Sequence, residues 1–258
     1  MSYTISLQTE ILKTKRSAAF WVCLLGSGFI PAIFTLMYSL RPDKFVSQFK
    51  VQPWESHFIS GWQAFSAFLL PMFVILVCSM IPQIEYKNNT WKQVFASPQS
   101  IGNIFFSKLS TILLMILFLF VMFNVFMIGG ALLANLIHKE YPFFSHGAQW
   151  DLILKMNLKS FISLLGIISI QYWLSLRVKN FIVPIAIGLA LLITAMIILQ
   201  WENISKVPYA FPFLTFLSIA KGGVKKILFQ NHEMNSIGYF AFFTILAFLD
   251  MRYRKERG

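Results

Sequence analysis

Four histidines (His57, His138, His146, His232), two cysteines (Cys23, Cys78) and a few polar side chains inside apolar runs are what this chain offers for chemistry. Metal or haem chemistry needs histidines at fixed spacing or within spanning segments. These four fall in expected connections, which predicts solvated loop histidines, with a surface metal site from His138 and His146 as the alternative. Both cysteines lie in apolar runs and read as small buried hydrophobes. There is no His-Glu-x-x-His pair, no Gly-x-Ser-x-Gly elbow, no intramembrane carboxylate pair and no Gly-x-x-x-x-Gly-Lys-Ser/Thr loop, so no metalloprotease, serine-hydrolase or P-loop ATPase chemistry is indicated. Polar groups inside apolar runs are costly in lipid and tend to face a cavity or another helix. Gln63, Asn124, Asn135 and Gln171 are therefore candidates for a transport pathway, with helix–helix hydrogen bonding as the plainer use. No charge lies clearly at mid-membrane, which argues against a proton- or sodium-driven mechanism.

The elements that must position these residues follow from composition. The chain is 57% hydrophobic and 12% charged over 258 residues, whereas a soluble domain has about twice that charge. It reads as an all-α integral membrane protein forming a single transmembrane domain over 1–258. Six spans of about 20 apolar residues are expected near 18–40, 58–84, 104–127, 156–176, 181–200 and 237–249. The third is able to run on to Ile137, tilted or projecting beyond the bilayer, and the last to start near Glu233. The first run continues for about 22 residues without an Ala-x-Ala-like end, so it reads as a retained span rather than a signal peptide. Pro31, Pro71 and Pro184 predict kinks.

The net charge of +12 reads as a topology signal rather than a nucleic-acid surface. With the N-terminus inside, twelve Lys and Arg (Lys13, Lys15, Arg16, Lys87, Lys92, Lys108, Arg177, Lys179, Arg252, Arg254, Lys255, Arg257) oppose four acids (Glu10, Glu85, Asp250, Glu256) on the cytoplasmic side. Ten basic residues face six acids outside, in longer segments. Both termini are thus expected in the cytoplasm. The stretch 1–17 reads as a weakly amphipathic interfacial helix with Leu7 and Ile11 on one face, Ile5 and Leu12 at its edge, and lipid headgroups as its partner, or else as a frayed tail. The outer loop 201–235 carries an apolar segment, 209–220, too short to span. It is expected to be re-entrant or interfacial, returning through Lys221, Gly222 and Gly223; a seventh span would instead put the C-terminal basic residues outside. Gly26 and Gly28, with Ala186, Gly188 and Ala190, permit close helix packing and a subunit interface.

The segment 85–100, Glu-Tyr-Lys-Asn-Asn-Thr-Trp-Lys-Gln-Val-Phe-Ala-Ser-Pro-Gln-Ser, is the most informative. Asn88 or Asn89 is a good N-cap after Glu85, and Pro98 ends a helix at Ser97. Trp91, Val94 and Phe95 then share one face, away from Lys87 and Lys92. Such a helix either docks in a groove of a partner or packs on its own bundle or on headgroups; physics alone leaves both open.

The pattern Glu85, Thr90, Pro98, Ser100, followed by Lys108 opening the third span, resembles the coupling-helix region of type-2 ATP-binding-cassette exporter permeases. The Asn-Asn-Thr-Trp-Lys-Gln run is most similar to the lantibiotic-immunity and bacteriocin-protection branch, with Phe95-Ala96 where many relatives carry paired leucines. The resemblance implies a permease subunit in the bacterial cytoplasmic membrane. It would pair with a second permease subunit and two copies of a separate ATPase, and expel a hydrophobic or amphipathic substrate such as a peptide antimicrobial or lipid-like molecule. It also implies that ATP and magnesium belong to the partner ATPase, with no cofactor on this chain. Glu85, Thr90, Trp91, Val94, Phe95 and Pro98 would then couple the ATPase to the spans. The alternative is a non-transport membrane enzyme or scaffold subunit whose cytoplasmic helix binds something else.

Overall fold

The computed structural model describes residues 2–221 and 229–253, which form helices and connections with no strand among them. Helix α1 (Tyr3–Thr14) turns through Arg16, at φ 64, into α2 (Ala18–Leu40), whose first turn is capped by the Ser17 hydroxyl accepting from the Phe20 N–H. A single turn at Pro42–Phe45 leads to α3 (Pro53–Lys87). The short α4 (Trp91–Ala96) then precedes α5 (Ile101–Ile137), where the Ser100 side chain caps the Asn103 N–H. Helices α6 (Trp150–Arg177), α7 (Ile182–Ile197), α8 (Phe211–Ala220) and α9 (Asn231–Tyr253) complete the described chain.

Among the described residues five helices, α2, α3, α5, α6 and α9, are long and apolar enough to cross a membrane. The expected fifth run forms α7, a helix of 16 residues, about 24 Å long against a hydrocarbon core of about 30 Å. Helix α5 does continue to Ile137; its 37 residues reach about 55 Å, more than the hydrocarbon core of about 30 Å requires, so it is tilted or projects beyond it. Helix α3 begins at Pro53, five residues before the expected span, because Pro53 starts a helix well where no N–H partner is needed.

Two of the expected proline kinks have other outcomes. Pro71 has no N–H for the carbonyl one turn back, and the helix widens into a π turn at Phe65–Leu69 immediately before it. Pro184 lies in the first turn of α7, where a missing N–H costs nothing. Pro31 is inside α2 as expected.

The core runs through the middle of the bundle. Helix α2 packs along α5, α9 along α6, and α3 lies between them against α2, α5, α6 and α7. The small residues are spent inside this chain. A Cβ on Gly26 would lie 2.6 Å from Phe73 Cζ, Gly28 faces Phe126, and Gly188 abuts Gln171 and Ile75. That corrects the expectation that these glycines form a subunit interface; Ala186 and Ala190 do remain exposed. Helix α8 occupies the expected apolar segment of the 201–235 loop and buries Phe211, Phe216 and Ile219 against α6, α9 and the π turn. Its expected return reaches Lys221, and Gly222 and Gly223 lie outside the described residues, as do Arg254, Lys255, Glu256 and Arg257 at the C-terminus.

Candidate functional site: the charged end of the bundle

Helix α1 packs by its polar face. Ser6, Glu10 and Thr14, at successive four-residue steps, are buried, while Ile5, Ile11 and Leu12 are exposed. The sequence pattern placed the apolar side toward lipid headgroups and gave the polar side no packing role. In a helix lying at a membrane boundary the apolar side can meet lipid, which frees the polar side to bind the bundle. It is held there by the Tyr3 hydroxyl, 2.8 Å from Ser110 Oγ, and by Ser6 Oγ donating to Gln99 Oε1 at 2.6 Å.

That polar face delivers Glu10 to a cluster of four charges. Lys108 Nζ on α5 lies 2.7 Å from Glu10 Oε2 and 2.7 Å from Glu85 Oε1 at the end of α3. Lys13 Nζ lies 2.7 Å from Glu10 Oε1 and 3.0 Å from Glu85 Oε1. Lys108 has 0% relative exposure and Glu85 1%. Two cations and two anions balance, which is the condition for holding such groups out of water. Burial pulls the Glu10 carboxyl upward, yet the Lys108 and Lys13 ammonium groups beside it outweigh that and hold it below its ordinary 4.5. For Lys13 burial acts downward, and its bonds to Glu10 and Glu85 raise it above 10.5. Sequence reasoning missed Glu10 and Lys13 as site residues and used Lys108 only as a motif letter. A Glu and a Lys three apart on one helix are a visible signal, but nothing local shows a buried partner 98 residues away.

Helix α4 hangs from this cluster. It spans six residues, Trp91–Ala96, and Glu85 belongs to α3 rather than to it. The expected N-cap asparagines make the turn instead. Asn89 stands at φ 53, a left-handed conformation Asn tolerates better than most residues, and no side chain caps α4 at Thr90. The Thr90 N–H donates to the Glu85 carbonyl at 3.0 Å, tying the start of α4 to the charged residue itself. Trp91, Val94 and Phe95 are all half-buried. The Trp91 ring stacks on Phe95, meets Tyr86 at 5.3 Å between centroids and lies 5.5 Å from Lys108 Nζ. Trp91 thus faces its own chain, whereas Lys92, Gln93, Ala96 and Pro98 are exposed. Ser97 Oγ closes the last turn on the Val94 carbonyl at 2.6 Å. Tyr86 and Gln83 donate to the Leu176 and Val178 carbonyls, fixing the end of α3 to the end of α6. A cleft of about 340 Å³ runs between α1, the end of α3 and α4, lined by Ser6, Glu10, Lys13, Glu85, Thr90 and Val94.

The expected pathway residues are not brought together. Asn124 Nδ2 donates to Asn157 Oδ1 at 2.8 Å, Asn135 Oδ1 accepts from the Phe144 N–H at 3.1 Å, and Gln171 Nε2 donates to the Tyr209 hydroxyl at 2.7 Å. Gln63 is exposed on α3. Among the described residues no three His, Cys, Asp or Glu form a possible metal site. The histidines are not all solvated. His57 is 1% exposed between the Tyr38 hydroxyl and the Met127 carbonyl, and His232 is buried against Thr215. The early start of α3 is what draws His57 into the bundle.

The sequence pattern of the ABC-2 family transporter proteins matches residues 6–195, from the buried face of α1 to the end of α7. The chain belongs to the ABC-2 transporter family. It is a multi-pass membrane permease component of an ABC transporter, and the family implies association with an ABC ATPase. Neither a curated protein nor a solved structure matches the chain significantly. In the permease, the charged end gathers the whole conspicuous segment, Glu85 through Lys108, with α1 around it.

Proposed function

We propose that this permease is the export half of an ATP-driven pump and that α4 is the helix its ATPase engages. The observation that carries the reading is a short helix with Lys92, Gln93 and Ala96 exposed, mounted on a neutral four-charge cluster at the joined ends of α1, α3 and α5. Val94 and Phe95 contribute the half-exposed apolar edge, Trp91 passes the contact inward, and Glu85, Thr90 and Pro98 set where the helix starts and stops. Helix α7, though short, serves as the sixth span, and both termini face the cytoplasm, as the balance of basic residues favours. Helix α8 dips into the membrane from the outer side, supported by its apolar packing on the π turn in mid-α3. Two ATPase copies and a second permease subunit complete the pump in a bacterial cytoplasmic membrane, and Gln63 remains free to meet that subunit or the cargo. The cargo is hydrophobic or amphipathic, a membrane-active peptide or lipid-like molecule as in the lantibiotic-immunity branch. The pairing of Asn124, Asn135 and Gln171 within the chain favours this over a charged solute.

Co-purification tests it. Tagged permease extracted from its native host in mild detergent is expected to retain an ATPase, and Trp91→Ala with Phe95→Ala to lose it at equal membrane levels. A wild-type chain that never retains an ATPase, or a double variant that keeps both ATPase and transport, overturns the reading.

A further inference from the structure

The coupling helix is only half-embedded, with Trp91 packed against the apolar core. It has six residues and none of them is buried. Among its links to the body are the Thr90 N–H to the Glu85 carbonyl, and Trp91 against Tyr86 and beneath Lys108. Both lead to the charge cluster. Apolar contacts are non-directional and allow helices to slide, whereas short charge-assisted hydrogen bonds fix distance and angle. Each of the four ions is bonded to both ions of opposite sign, so opening one bond leaves every ion paired and the ring parts only when two bonds break together. The cluster therefore resists shear as a unit. On its far side, Glu10 and Lys13 sit in the last two turns of α1, and only Lys15, Arg16 and Ser17 separate α1 from α2. A displacement of α1 must pull directly on α2.

We propose that Glu10, Lys13, Glu85 and Lys108 are positioning residues that make α1, the end of α3 and the start of α5 move as one body when α4 is displaced. Lys108, held between both carboxylates and the face of Trp91, joins α4 to the spans. The route runs from α4 through Glu85 and Lys108 to Glu10, and along α1 into α2. The inference rests on α4 being the ATPase-engaging helix.

The test uses the complete complex of permease and ATPase, with spin labels on cysteines introduced at Gln8 and Lys87. Both positions are exposed, and the native Cys23 and Cys78 are buried away from label. The distance between labels is measured without nucleotide and after trapping with ATP and vanadate. In the otherwise unaltered permease one distance is expected in both states. Glu10→Gln, which keeps the side-chain shape and leaves Lys108 paired with Glu85, is expected to add a second distance in the trapped state only; Lys108→Met is expected to do so more completely. A purely structural role would alter the distances in both states alike, whatever the change in stability. Variant complexes that retain ATPase and superimpose on the unaltered one in both states overturn the inference alone, as does an unaltered complex whose distance changes with nucleotide. Failure of the unaltered permease to retain an ATPase removes the docking reading and this inference with it.

Discussion

The two ends of the bundle are held by opposite chemistry. At the charged end four ions, two from α1 and one each from α3 and α5, fill one site in which each is bonded to both of opposite sign. At the other end of α3 and α5, aromatic rings gather around His57. Tyr38, Phe49, Trp54 and Phe143 approach its ring edge-on or tilted at 5.6 to 6.5 Å, while Trp54 Nε1 donates to the His146 carbonyl at 2.8 Å and the Tyr141 hydroxyl to the Tyr38 carbonyl at 3.0 Å. Ring contacts are individually small and summed over many partners, so this end can adjust and lose a member. An ion network cannot be diluted in that way. The pairing places the ionic connection where α4 is mounted and the forgiving one at the far end.

Substitutions can break that contrast, beginning with the largest expected effect. Lys108→Met leaves two buried carboxylates facing Lys13 alone and should cost about 3–5 kcal/mol, seen as a large fall in the thermal unfolding midpoint of detergent-solubilised protein. Asn89→Val forces a β-branched residue into φ 53 and should cost about 1–2 kcal/mol in the same assay, whereas Asn89→Gly should be neutral. Phe49→Leu, deep in the aromatic end, should cost about 1 kcal/mol; a loss equal to that of Lys108→Met would erase the distinction between the ends.

Acidity sharpens it further. Glu10 is depressed, so its contribution is complete above its ordinary 4.5 and is lost as pH falls through its lower folded value. Lys13 is raised, so its contribution is complete below 10.5 and fades as pH rises through its higher folded value. Thermal unfolding followed from acid to alkaline pH should show both limbs, and Glu10→Gln should flatten the acid limb.

The membrane class, the long apolar helices and the position of α4 could be read from hydropathy and from the punctuation at Asn88, Asn89 and Pro98. What each face packs against could not. For α1 the pattern assigns the apolar side to lipid, and Ile5, Ile11 and Leu12 do point away from the bundle, but nothing in the pattern shows that Ser6, Glu10 and Thr14 bind it. The pattern leaves the Trp91 face open between a partner and its own bundle and the resemblance makes it a docking contact, whereas the Lys108 ammonium over its ring and Tyr86 beside it turn it inward. Glu85 and Lys108 were visible as motif letters, but their union with Glu10 joins residues 98 and 75 positions away, a pairing only the tertiary fold creates. His57 was misread for a local reason, since Pro53 starts α3 one turn earlier than the apolar run indicates.

The claim that the charged end receives the ATPase is tested most directly by a photo-crosslinking residue placed at Gln93, on the exposed side of α4, and in parallel at Val51, 81% exposed near the aromatic end. In membranes of the native host, illumination should join the permease to its ATPase from position 93 and not from position 51. An ATPase adduct from position 51, or none from position 93 in a complex that still hydrolyses ATP, would contradict the account.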